Sequence, residues 1–295
     1  MRFTVFTPTY NRAYVIENLY RSLQRQTFRD FEWIVMDDGS TDNTEALFAS
    51  FMQEENDFPI RYEKVENGGK HRAINKGVAI AEGELFYIVD SDDYLPNDAL
   101  QIINSIEQTV PQERKHLFAG VCGQKGLENQ GEIGQTFSGE MLDITTLERS
   151  KYQIRGDKAE VYYTSVMKKY PFPEFKGENF LTECVVWDRI GADGYLLRFF
   201  NQVVMICEYL PDGLSSMGRE IFLNNPRGYG LYLHQSIQYG KLTGLSKWNE
   251  LLDFYGALRD KVRFVEMASY VRMNPFALWF RFLGLRVFYK IYGRW

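Results

Sequence analysis

Apolar residues gather in four short runs within the first 90 positions, and between the runs they recur at the spacing of amphipathic helices. RFTVFTPTYN, FEWIVMDDGSTDNT, IRYEKVEN and LFYIVD read as strands that end on polar or turn-forming residues. AYVIENLYRSLQRQ and KHRAINKGVAIAEG read as helices, the second closed by Gly83. A further helix through Phe51 has Ser40, Thr41 and Asp42 as candidate N-caps. Alternation of strand and helix predicts an α/β fold with a mostly parallel sheet and right-handed crossovers. Ligands bind such sheets beyond the carboxyl ends of the strands, and three of the four ends carry polar strings, TPTYN, DDGSTD and DSDD.

Beyond residue 110 the alternation weakens. HLFAGVCG reads as one more strand, residues 124–140 as loop or hairpin, and the stretch from Leu181 to Ile190 as a helix. RFFNQVVMICEYLPDGLS reads as a strand and a turn, and from Ile221 the pattern is helical to the end. No repeat or low-complexity segment interrupts the chain.

Composition adds bounds. With 45% hydrophobic and 25% charged side chains over 295 residues, one large domain with an appendage, or two domains, is expected. No run approaches the roughly 18 apolar residues of a membrane span, and the first strand-like run begins at Arg2, so a cytosolic protein without a signal peptide is expected. Cys122, Cys184 and Cys207 lack CxxC spacing and read as reduced, mostly buried thiols. Charge is uneven: no acidic residue follows Glu266, while Arg272, Arg281, Arg286, Lys290 and Arg294 do. Residues 1–266 therefore carry a net −10 against −5 for the whole chain.

DSDD places three carboxylates directly behind a buried strand. Desolvating even one unpaired carboxylate costs several kcal/mol, so they require cations or donors. In strand geometry Asp90 and Asp92 project to one side, which suits a hard divalent ion that keeps waters and shares phosphate oxygens. The alternative is a solvated turn, with Asp93 capping a helix that begins near Pro96. NGGK lacks the spacing of a P-loop, and His71 has no second histidine nearby, so it reads as a packing or surface residue.

TPTYNR, FEWIVMDDGSTDNT, NGGKHRAINKG, AEGELFYIVDSDD and, later, FPEFKGENFLTECVVWDRI with EYLPDGLS follow one another in an order that resembles inverting family 2 glycosyltransferases of bacterial type, with the GT-A fold. The resemblance implies a Rossmann-like catalytic domain over 1–220, with 1–110 holding the nucleotide-sugar and 111–220 the acceptor, and a helical C-terminal region over 221–295. It implies that Thr7, Pro8 and Tyr10 line the nucleotide pocket and that Asp38 accepts a hydrogen bond from a uracil imide. Asn67, Gly68, Gly69 and Lys70 would lie along the nucleoside. Asp90 would hold the ribose or metal side, and Asp92 would bind the Mg or Mn ion bridging the diphosphate. The implied reaction is hexosyl or N-acetylhexosaminyl transfer from a nucleotide-sugar, UDP-linked in the favoured reading, to a glycan or polyprenyl-linked acceptor, in cell-surface polysaccharide or glycoconjugate synthesis.

Inversion requires a base for the acceptor hydroxyl. The family supplies it from an acidic pair at the start of a helix; here the pair reads Glu183, Cys184, which makes Glu183 the candidate catalytic base. A helix-end carboxylate favoured by the dipole is the plainer reading of Glu183. Glu178 and Asp188 are weaker candidates, and Asp157 either contacts the sugar or sits in a turn. The tail, residues 272–295, mixes aromatics with Arg and Lys. The acidic remainder of the chain argues against nucleic acid, leaving a core helix or, the favoured reading, a contact with the inner face of the cell membrane. Two rival functions stand beside transfer: a catalytically silent nucleotide-sugar-binding subunit, suggested by Cys184, and a sugar-phosphate nucleotidyltransferase. The second would need a Gly-rich basic loop after the first strand, and TPTYNR offers none.

Overall fold

The computed structural model describes residues 1–128, 131–208, 210 and 212–292; of the basic tail residues, Arg294 lies outside the described residues. In chain order the elements are β1 (Phe3–Thr9), α1 (Glu17–Gln24), β2 (Phe31–Asp37), α2 (Thr44–Phe51), β3 (Ile60–Lys64), α3 (Lys70–Ile80), β4 (Leu85–Ile88) and α4 (Ala99–Gln108). Then come β5 (Phe118–Leu127), β6 (Gly131–Glu132), β7 (Met141–Ile144), β8 (Lys158–Tyr163), α5 (Thr164–Met167), α6 (Cys184–Ala192) and β9 (Leu196–Cys207). Five helices follow: α7 (Arg219–Leu223), α8 (Pro226–Gln238), α9 (Gly244–Leu258), α10 (Phe264–Tyr270) and α11 (Pro275–Tyr292).

One sheet runs in the order β3-β2-β1-β4-β8-β5-β9-β7, with β6 paired to β5. The first four strands are parallel, as the alternation predicted. β8 then pairs antiparallel with both β4 and β5, so β5 again points the way β4 does. Consequently the carboxyl ends of β1, β2, β4 and β5 open on the same edge. The bulged pairing of β5 with β9 bends this half of the sheet.

Packing follows from the sequence pattern. β1 and β2 are buried along their whole length, as strands covered on both faces must be. Trp33 stacks on Tyr20 of α1 and touches Phe48 of α2. α3 sits close on the opposite face because it carries Gly77, where a Cβ would lie 2.1 Å from the Phe6 ring. A main apolar core runs under the sheet from Phe3 to Cys207, and a second core joins α8 to α11 through Tyr229, Leu233, Leu251, Phe254, Met267, Leu278 and Phe282. Helix α8 belongs to both, since Leu231 reaches the first.

Three local expectations change. The strand before DSDD stops at Ile88, and Asp90 and Asp92 stand on a turn closed by the Asp93 amide donating to the Asp90 carbonyl at 3.0 Å. The helix behind it begins at Ala99 with Asp98 at its N-cap, because Pro96 and the turn at Asn97 delay it; Asp93 caps nothing. The helix expected from Leu181 starts at Cys184, with Glu183 in the N-cap position.

Candidate active site

At the ends of β1 and β2, short polar residues tie neighbouring loops together. Asn11, at φ 53°, accepts the Thr41 amide at 2.8 Å, and its own amide donates to the Ser40 hydroxyl at 2.8 Å. Asp37 accepts the Ser40 amide at 2.7 Å and the Tyr62 hydroxyl. Asp38 is buried and its two oxygens accept the Gly68 and Gly69 amides at 2.8 and 2.7 Å, while Asn67 donates to the Asp38 carbonyl at 2.8 Å. Burial raises the Asp38 pKa and the two amides pull against that rise. Asp38 thus fastens the 67–70 loop, and both of its oxygens already have a partner.

That loop meets the second half of the chain at Gly69. Its φ is 95°, and a Cβ there would lie 1.8 Å from the Asn179 carbonyl oxygen. Arg72 donates to the carbonyls of Phe175 and Glu178 at 2.7 and 2.6 Å, and Asn75 exchanges hydrogen bonds with the backbone of Phe172 at 2.9 and 2.8 Å. Helix α3 therefore holds residues 172–180 as a strap against its N-terminal end, and the strap delivers Glu183.

The charged centre follows. Lys70 Nζ lies 2.7 Å from Asp90 Oδ1 and 2.8 Å from Glu183 Oε1, bridging the strand-end turn to the start of α6. All three side chains are a quarter to a third exposed, so the cluster is open to solvent. Burial opposes the Lys70 charge, but Asp90 and Glu183 outweigh it and hold its pKa above that of an ordinary lysine. Burial likewise works against the Asp90 charge, and Lys70 with Lys125 overcomes it, so Asp90 stays below the usual carboxylate range. Asp92 differs: among the described residues it makes no ion pair or side-chain hydrogen bond, and burial and the Asp90 charge raise its pKa. The more distant charges of Arg12 and Lys70 do not offset this, so Asp90 and Asp92 together have the excess negative charge that would suit a divalent cation. Among the described residues no three His, Cys, Asp or Glu side chains converge as a complete metal site.

Other expected site residues are distributed differently. Thr7 does not line a pocket: its side chain is fully buried on the α1–α2 face and accepts the Trp33 indole N–H at 3.0 Å, because alternation along β1 turns it inward. Pro8 is buried one position later, and Tyr10, half exposed, stands at the strand end. Glu178 caps α8, accepting the Arg227 and Gly228 amides at 2.8 Å each, and Asp188 is buried and pairs with Lys241 at 2.7 Å. Asp157 is exposed ahead of β8. His71 is buried in packing, and burial lowers its pKa to about 4. Cys122 and Cys207 are buried and Cys184 is partly exposed, all free thiols.

Sequence reasoning missed Lys125, Arg149 and Glu160. Lys125 lies 3.6 Å from Asp93, whose pKa burial pushes up to about 6, and Arg149 lies 3.5 Å from Glu160 on β8. Burial also raises the Glu160 pKa. Lys125 and Glu160 are mostly buried, and each is held by an ion pair at the long end of the range. No local pattern marked them: Lys125 is the one charged residue of β5, Glu160 lies on β8, and Arg149 comes from the stretch between β7 and β8. Opposite, Arg12 and Tyr14 close on Asp212 at 2.6 and 2.9 Å, joining TPTYNR to the loop before α7.

Residues 4–110 match the model of Glycosyl transferase family 2. A Campylobacter jejuni GalNAc(5)-diNAcBac-PP-undecaprenol beta-1,3-glucosyltransferase is 30% identical over 192 residues, covering 63% of this chain and 58% of the relative. The Staphylococcus aureus poly(ribitol-phosphate) beta-N-acetylglucosaminyltransferase TarS is 29% identical over 178 residues, covering 59% of this chain and 30% of the relative. The chain thus spans little more than half of one of these relatives and a third of the other. The crystal structure of S. aureus TarS 1-349 in complex with UDP-GlcNAc superposes with a TM-score of 0.58 at 21% identity, covering 87% of this chain and 81% of that one. The mannosyltransferase PcManGT from Pyrobaculum calidifontis, solved with GDP-Man and Mn2+, does so at 0.58 and 19% identity, covering 98% and 81%. With the family strings in order, the parallel half-sheet opening on one edge and these relatives, residues 4–110 form a family 2 glycosyltransferase domain and the chain has the GT-A fold.

Proposed function

We propose that the chain transfers a sugar from a nucleotide-sugar, UDP-linked in the favoured reading, to a hydroxyl of a glycan or lipid-linked glycan, with inversion at the anomeric carbon. The observation that carries this is the Lys70 bridge, which sets Glu183 across the cleft from the carboxylates suited to a diphosphate-bound metal. The acceptor oxygen forms its bond to the anomeric carbon while the bond to the diphosphate oxygen breaks and takes its electrons to the leaving group. Glu183 receives the acceptor's proton. Asp90 and Asp92 would hold a Mg or Mn ion, which would supply charge neutralisation of the leaving diphosphate.

Pro8, Tyr10, Asn67, Gly69 and Lys70 border the nucleoside in this reading, and Asp38 acts by fixing the 67–70 loop as well as through any contact with the base. Lys125, Arg149 and Glu160 contact sugar hydroxyls, to which a carboxylate and two cations offer both acceptors and donors. The two apolar cores support a division into a catalytic unit over 1–220 and a helical unit over 221–295. The C. jejuni relative is named for an undecaprenol-linked glycan, which supports a lipid-linked acceptor and work at the inner face of the cell membrane. No helix among the described residues is long and apolar enough to cross a membrane.

The test is a screen of UDP-, GDP- and dTDP-sugars with Mn, reading both binding and nucleoside diphosphate release in the presence of glycan and lipid-linked acceptors. Turnover with one donor class is expected. Tight binding without turnover on any acceptor would favour the silent-subunit reading, and pyrophosphate release from a nucleoside triphosphate would favour a nucleotidyltransferase.

A further inference from the structure

Helix α11 has two apolar faces, and only one of them is used. Leu278 and Phe282 are buried in the second core against Leu251, Phe254, Met267 and Val271. On the other side Phe276, Trp279, Phe280, Leu283 and Val287 are 75%, 50%, 66%, 45% and 52% exposed. At 3.6 residues per turn these five fall in one narrow stripe, opposite the packed side chains. The sequence left a core helix and an interfacial helix as alternatives, and this helix has the faces of both.

Single exposed apolar residues need no explanation, whereas an aromatic and aliphatic stripe running from Phe276 to Val287 does. We propose that the outer face of α11 docks on an anionic lipid surface, lying in the interface plane. Charge argues for this occupant. By helical spacing Arg286 borders the Trp279 edge of the stripe, Lys290 continues the stripe itself toward the end of the helix, and Arg281 stands toward the other side, its guanidinium lying 5.4 Å from the Trp248 ring centroid. Arg272 precedes the helix, and no acidic residue follows Glu266. An aromatic stripe flanked by long cations matches acyl chains beneath negative headgroups, with the cations reaching outward. A second copy meeting this face through a twofold axis would set the same cations against one another. The rest of the chain, at net −10, is repelled by such a membrane, so α11 is the surface that approaches it.

The experiment is flotation of the full chain with vesicles of phosphatidylcholine alone and of phosphatidylcholine with one-third phosphatidylglycerol, at low and high salt. Binding to the anionic vesicles at low salt, weakened by salt, is expected. Phe276→Ser with Phe280→Ser, and separately Arg286→Glu with Lys290→Glu, should each lower vesicle binding roughly tenfold or more. Neither pair touches the second core, and an unchanged melting temperature together with unchanged UDP affinity identifies the loss as one of docking. Failure of the unsubstituted chain to float with anionic vesicles at low salt overturns the proposal. So does equal binding to both vesicle types, or binding that neither double substitution alters. A dimer in solution that Phe276→Ser with Phe280→Ser dissolves, without vesicle binding, would assign the face to a second copy instead.

Discussion

The two halves of the cleft treat their polar groups in opposite ways. On the nucleotide side, at the ends of β1 and β2, Asn11, Asp37, Asp38, Ser40 and Asn67 are all occupied by neighbouring backbone or side-chain partners before any ligand arrives. On the side built from β5 and β8, Lys125 and Glu160 are less enclosed and are held by longer ion pairs, at 3.6 Å to Asp93 and 3.5 Å to Arg149. The first arrangement fixes loop shape in advance, which lowers the entropy lost when a ligand binds. The second leaves charged groups loosely held. A site that hydrogen-bonds a ligand through such groups rejects analogues lacking the matching hydroxyl, so selectivity should reside there.

The substitution that most sharply separates chemistry from both halves is Glu183→Gln. Transfer should fall roughly 10²- to 10⁴-fold while UDP affinity holds, read by single-turnover transfer and calorimetry. A native rate would return Glu183 to the role of a helix-end carboxylate paired with Lys70. Next in size, Asp92→Asn should remove the metal-dependent part of UDP binding, by at least the roughly 10- to 100-fold that changes outside a metal's ligand sphere can cost. Titration of UDP with and without Mn measures it, and retention of the metal effect would take Asp92 out of the site.

Glu160→Gln tests the loosely held half directly. The Michaelis constant for the preferred sugar nucleotide should rise about tenfold, on the scale of a hydrogen bond to a charged group, while affinity for UDP without its sugar stays the same. Equal loss for both would erase the contrast between the halves. The smallest effect is expected at Asp38→Asn, which keeps one acceptor oxygen of two. Stability should drop about 1 kcal/mol, a few degrees in thermal melting, with UDP affinity falling less than about tenfold. No shift in melting would mean that the Gly68 and Gly69 amides find other acceptors.

How far the sequence carried this contrast is itself uneven. The parallel half was legible because its strands are nearly continuous apolar runs and its ligand-facing strings sit at strand ends, where pattern and chemistry coincide. Thr7 shows the limit within that half: a polar residue at a strand end reads as pocket lining, yet alternation pointed it at Trp33. Glu178 and Asp188 looked like spare acids, and only the position of α8 and of Lys241 shows why they are not. Lys125, Arg149 and Glu160 left no motif because they come from separate segments, β5, the stretch after β7, and β8. Antiparallel pairing across the bulged β5 assembles them, and that register cannot be read from local composition.

The contact between Gly69 and the Asn179 carbonyl sets a bound on how this chain can drift. Asn179 supplies a backbone oxygen there, so no exchange of its own side chain makes room for a larger residue at position 69. Most steric conflicts inside a protein can be relieved by a compensating change in the facing side chain; this one cannot. In a library randomised at both positions, 179 should accept many residues and 69 should return glycine alone. The 67–70 loop and the 172–180 strap can then diverge in sequence around that point only as a pair whose spacing never changes.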